Sequence, residues 1–148
     1  MPPVHEPAPG SESGNEVLRE VVVVRDDRPD MAIGETDHEV LVGNHVTIRA
    51  DSGMYVLLAH LQADSISMAG GDRVRRSQPV ARCGNSGNTS GPHLHIQAQN
   101  RAGFSNDDPE LETFPFHFSG ATRVRDGVET SSPSPVRRND WVRPERLE

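Results

Sequence analysis

Two histidines one residue apart, His93 and His95, close the run Gly84-Asn85-Ser86-Gly87-Asn88-Thr89-Ser90-Gly91-Pro92-His93-Leu94-His95. Its three glycines permit positive φ and close backbone approach, and the small polar residues between them suit an irregular loop. The loop delivers the chain into a strand that opens His-Leu-His. Strand side chains alternate, so His93 and His95 would project from one face, roughly 6.6 Å apart at about 3.3 Å per residue, with Leu94 turned into the core. Two imidazoles on one face suit a single metal site, one as ligand and the other hydrogen-bonding a metal-bound water. A bare His-x-His equally describes two surface histidines beside a turn.

The remaining candidates carry weaker signals. His60 ends Tyr55-Val56-Leu57-Leu58-Ala59-His60-Leu61 and by alternation shares a face with Leu58 and Val56; alone it reads as a semi-buried, hydrogen-bonded histidine. His38 and His45 lie in or beside an acidic stretch, His117 in Phe114-Pro115-Phe116-His117-Phe118 and His5 near the N-terminus, and each reads as solvent-facing or structural. Cys83 follows Val80 and Ala81 and reads as a small buried hydrophobe rather than a nucleophile. The carboxylates of Arg25-Asp26-Asp27-Arg28-Pro29-Asp30 read as a solvated loop.

The elements that must position these residues are strands. Val17 to Val24 is rich in β-branched residues, and His45 to Arg49 and Met54 to Leu61 flank an Asp51-Ser52-Gly53 turn, a hairpin signature. Ile66 to Met68, Arg73 to Arg75, Gln78 to Arg82 and His93 to Gln99 add short strands between tight turns, and Arg25 to Gly43 reads as a long surface loop. No segment holds a 3.6-residue period over a dozen positions. The expectation is an all-β domain of short, mostly antiparallel strands over residues 15–125. Pro- and Ser-rich tails at 1–14 and 126–148 are too poor in apolar residues to offset the entropy of ordering.

Composition narrows the function classes. The 148 residues hold 15 basic and 22 acidic side chains for a net charge of -7, which disfavours a nucleic-acid binder. All the basic residues are Arg, which removes Schiff-base lysines and lysine phosphate loops. One cysteine excludes an intrachain disulfide framework. The longest apolar runs, Val21 to Val24 and Tyr55 to Ala59, are too short to span a bilayer, and the N-terminus lacks the pattern of a secretory signal.

In order along the chain stand Gly43-Asn44-His45-Val46-Thr47-Ile48, Leu58-Ala59-His60-Leu61, Gly71-Asp72-Arg73-Val74, Gln78-Pro79-Val80-Ala81, Gly84-x-x-Gly87 and Ser90-Gly91-Pro92-His93-Leu94-His95. Together, over residues 17–99, they resemble the lysostaphin/LytM-type zinc endopeptidases. The resemblance implies the duplicated hybrid motif, a small barrel-sandwich of β-strands. It also implies a zinc held by His95, with His93 and His60 orienting the attacking water and stabilising the charged intermediate. Zinc there polarises the scissile carbonyl and brings its bound water toward a pKa of about 7. The implied substrate is the stem or cross-bridge peptide of peptidoglycan, and the family is usually extracytoplasmic.

One motif of that family is not found. A His-x-x-x-Asp segment ahead of the first strand supplies its other two zinc ligands, and none stands before Val17 to Val24 in this sequence; His5 is followed four positions later by Pro9. Glu6, Glu12, Asp37 and His38 are candidates to substitute, although nothing in their spacing recommends them. Three expectations follow: a peptidase whose other ligands come from an unrecognised segment or a partner, a non-catalytic cell-wall-binding or regulatory module, or a product begun downstream of the domain's start. With one ligand, zinc would be weakly held or absent. A more distant alternative is a phosphocarrier of similar hybrid fold, in which a histidine accepts phosphate. Compartment and oligomeric state stay open.

Overall fold

The structure, a computed structural model, describes residues 18–116, 118, 121–130 and 141–144 of the 148. It divides into two compact units, one running to Thr113 and the other beginning at Phe114. The tail expected at 1–14 lies outside the described residues. Among the described residues every regular element is a strand, as the all-β expectation requires, and no helix is long and apolar enough to cross a membrane.

The principal sheet holds β1 (Leu18–Arg25), β2 (Asn44–Ala50), β3 (Tyr55–Leu61), β4 (His95–Gln99) and the two-residue β5 (Thr113–Phe114), hydrogen-bonded in that order. The first four pair antiparallel. The β2–β3 hairpin forms where the Asp51-Ser52-Gly53 turn placed it. Gly53 supplies φ +88, and Ala50 N–H donates to the Met54 carbonyl at 2.8 Å. β2 is buried at nearly every position on both faces, which makes it the central strand of the core. Val21, Val46, Ile48, Leu61 and Met68 form one apolar cluster, covered by Ile66, Val74, Val80 and Ala81. Val42, Leu57 and Ala59 form a second, covered by Val40 and Phe104.

The stretch 66–82 differs from the short strands expected there. It forms an irregular cover tied to the sheet by single contacts, Val21 N–H to Asp72 O and Val74 N–H to Arg19 O at 2.9 Å and Gly71 N–H to Val21 O at 2.7 Å, with one isolated bridge between Glu20 and Arg73; Ser67 N–H to Val80 O at 2.9 Å closes the cover on itself. Gly70-Gly71 and Ser77-Gln78-Pro79 interrupt it too often for a ladder, and Pro79 has no N–H to give one. Cys83 is exposed rather than buried, in a segment that meets the sheet through a single bridge to Leu61 at the end of β3.

The second unit holds β6 (Ala121–Arg125), β7 (Val128–Thr130) and β8 (Trp141–Pro144), an antiparallel sheet in the order β7-β6-β8. β7 and β8 fall in the stretch expected to be an unordered tail. The local signal was available: Asp126-Gly127, at φ 50 and 77, is the dipeptide favoured in a two-residue hairpin with both central residues left-handed. It sits between the alternating Thr122-Arg123-Val124-Arg125 and Val128-Glu129-Thr130.

Candidate functional site

The end of β3 departs from regular pleating. Val46 pairs with Leu58 and Asn44 with Leu61, so two steps along β2 face three along β3. The extra residue falls at Ala59-His60, where His60 takes φ +59 and its N–H donates to Val42 O at 3.0 Å. Histidine is among the few non-glycine residues enriched in this left-handed region, and a bulge re-aims the side chain it carries. Strict alternation put His60 on the face of Val56 and Leu58; the bulge removes that constraint. His60 is buried, and its Nδ1–H donates to the Ser86 carbonyl at 2.8 Å. Burial pushes its pKa below the usual histidine range, the Ser86 carbonyl opposes this, and the nearby His93 and His95 add to the depression.

The glycine-rich loop packs against this bulge by backbone approach. A Cβ on Gly87 would lie 2.5 Å from Gly43 N and 2.7 Å from Leu41 O, and one on Gly84 would lie 2.3 Å from Gln62 N. Only glycine lets the chains cross there. Between them sits Ser86, fully buried, whose Oγ accepts Asn44 N–H at 2.9 Å and donates to Leu61 O at 2.7 Å. One residue thus fastens the start of β2, the end of β3 and the His60 ring. Asp30 adds a second clasp, accepting Asn85 N–H and Ala63 N–H at 3.1 Å each.

The loop returns through His93, which bridges Gly84, and enters β4 at His95, paired with Ala59. The three histidines meet: the His60 ring centroid lies 4.7 Å from that of His93 and 5.8 Å from that of His95. His93 Nδ1–H donates to Gly91 O at 2.9 Å, with Thr89 Oγ1 at 3.0 Å, so its Nε2 keeps a lone pair, as does that of His60. His95 uses the opposite nitrogen, with Nε2 3.1 Å from Gln97 Oε1. Leu94 does not enter the core: it is 45% exposed, because β4 begins one residue later and Leu94 belongs to the loop. Ser86 and Gln97 went unmarked in the sequence; the His95-x-Gln97-x-Gln99 alternation was the available sign of the second.

The substitute ligands fare differently. Asp37 is buried and occupied: its carboxylate accepts Arg28 Nε at 2.6 Å and Glu39 N–H at 2.9 Å. The Arg28 guanidinium holds its pKa below the usual carboxylate range. His38 is exposed, with Nε2 2.8 Å from Thr36 Oγ1. His45, in β2, is buried with Nδ1–H on Gly43 O at 2.8 Å, a structural role. His5, Glu6, Glu12 and His117 lie outside the described residues.

Residues 30–107, more than half of the chain and all three clustered histidines, match the model of peptidase family M23. This chain belongs to that family. A solved structure described as "Identification and structural characterization of LytU" is similar at 26% identity over 74% of this chain and 73% of that chain, with a TM-score of 0.39. No curated protein matches. Family M23 is generally zinc-dependent, and a catalytic zinc takes three protein ligands. In this M23 chain no group of three His, Cys, Asp or Glu among the described residues is placed to hold a metal ion. The described residues alone therefore do not fit a zinc.

Proposed function

We propose that this M23 chain acts on the peptide of peptidoglycan as a lysostaphin/LytM-type peptidase domain, with His60 and His93 facing the reacting amide and His95 at the metal-ligand position. The convergence of the three histidines supports the reading. Two loops and a bulge with φ +59 are maintained to achieve it, and strain of this kind clusters at functional sites. His60 and His93 both donate Nδ1–H to a fixed carbonyl and keep Nε2 as an acceptor. That is the state in which an imidazole takes a proton from water or orients it. Burial keeps His60 neutral, ready for that task. No step is assigned to zinc, since the described residues do not hold it.

A second reading is binding without hydrolysis, favoured by the carboxylates near the loop being engaged elsewhere, Asp37 by Arg28 and Asp30 by Asn85 and Ala63 N–H. Purified peptidoglycan separates the two. The chain should co-sediment with it and, with zinc in excess, release soluble peptide, and His93→Ala should abolish release while sedimentation persists. Sedimentation without release would leave the binding module, and failure to sediment would overturn both.

A further inference from the structure

His95, Gln97 and Gln99 occupy alternate positions of β4, opposite Ala59, Leu57 and Tyr55 of β3. Their side chains form a continuous hydrogen-bonded row. His95 Nε2 lies 3.1 Å from Gln97 Oε1, Gln97 Nε2 donates to Gln99 Oε1 at 2.8 Å, and Gln99 Nε2 donates to Arg101 O at 2.7 Å and Gly103 O at 3.0 Å. Gln99, Leu57 and Ala59 are fully buried, so the row runs beside apolar side chains where hydrogen bonds are strong and misplaced ones expensive.

The polarity of the row is fixed from its far end. Two backbone carbonyls can only accept, so the Gln99 amide must turn its NH2 toward them and its oxygen toward Gln97. Gln97 must then offer NH2 to Gln99, which turns its own oxygen to His95. A reversed Gln97 would set two oxygens against each other. Facing an acceptor, His95 carries its proton on Nε2.

We propose that Gln97 is a positioning residue for His95: anchored through Gln99, its amide holds the ring in the Nε2–H form and leaves Nδ1 as the nitrogen available to a substrate proton, a hydrogen bond or a metal. This reaches the reading above only in naming the nitrogen that would act. It also gives the two ends of His-Leu-His opposite chemistry, since His93 keeps its lone pair on Nε2 and His95 on Nδ1.

The test is the long-range 1H–15N histidine spectrum of the full chain above the histidine titration range, which reports the tautomer of each ring without any need for hydrolysis. His95 should be Nε2–H in the wild type and in Gln97→Glu, where an acceptor still faces His95 although the bond to Gln99 Oε1 is lost. Gln97→Lys, which can only donate, should invert His95 to Nδ1–H. Gln97→Leu should speed exchange of the Nε2 proton by about fivefold, the release expected on losing one ordinary hydrogen bond. The same Nε2–H population in Gln97→Lys, with unchanged exchange in Gln97→Leu, would overturn the proposal. Should Gln97→Lys fail to fold, the exchange comparison between Gln97→Leu and Gln97→Glu decides alone. A chain inert toward peptidoglycan still answers, so failure of the peptidase reading and failure of this one are separable.

Discussion

Ser86→Ala removes one oxygen from the crossing of β2, β3 and the glycine-rich loop. Its hydroxyl is fully buried, so water cannot take over its two bonds. Asn44 N–H loses its acceptor at 2.9 Å, and an unsatisfied buried donor costs about 1–3 kcal/mol. Leu61 O loses a 2.7 Å donor but keeps Asn44 Nδ2 at 3.4 Å, so its share is about 0.5 kcal/mol. The sum is about 1.5–3.5 kcal/mol. With a urea slope of about 1–3 kcal/mol per molar for a small domain, the unfolding midpoint should fall by roughly 0.5 M or more at unchanged slope. The Ser86 carbonyl is main chain and survives, so the His60 ring should remain Nδ1–H in the histidine spectrum. A midpoint shift below roughly 0.3 M would refute the idea that this hydroxyl fastens the site.

Gly87→Ala forces an L-residue to φ +84 and sets its Cβ against Gly43 N and Leu41 O, neither of which can move aside. A loss of about 3 kcal/mol or more is expected in thermal or urea unfolding, and a near-neutral result would mean that the crossing relaxes. His45 has a pKa lowered chiefly by burial, with Arg25 adding to it and the Gly43 carbonyl opposing. Its neutral form therefore stabilises the fold above its ordinary value of 6.5, and that contribution is lost as pH falls from there through the depressed native value. The urea midpoint of the wild type should drop over that interval by more than that of His45→Gln, and parallel profiles would contradict this. Dialysed protein should retain less than one zinc per chain, since tight binding needs three or four ligands. Metal analysis finding one zinc would place the other ligands among residues outside those described.

What could be seen in the sequence depended on how local its cause was. The β2–β3 hairpin announces itself through β-branched runs around Asp51-Ser52-Gly53, and the structure follows. Family membership rested on short motifs that each fix a turn or a strand end, from Gly43-Asn44 to His93-Leu94-His95. The direction of His60 was not legible, because it depends on Val42 O capturing an amide and on a bulge that no alternation pattern displays. Leu94 was misplaced for a related reason: the strand begins where pairing with Ala59 begins, not where the motif does. Asp126-Gly127 was legible and outweighed by the polar composition around it.

The placement of β4 far along the chain bears on synthesis as much as on the site. β3 sits between β2 and β4, yet residues 62–94 must be made before β4 can pair with it. At roughly 5–20 residues per second that interval lasts about 2 to 7 seconds. Throughout it the β3 edge, carrying Val56, Leu57 and Leu58, offers unpaired amides and carbonyls to any other nascent chain. Ribosome-bound chains ending near residue 90 should therefore recruit chaperones or self-associate, and chains extended past Gln99 should not. The histidine cluster can form only after this edge has closed, so its assembly marks the moment at which the newborn chain ceases to be sticky.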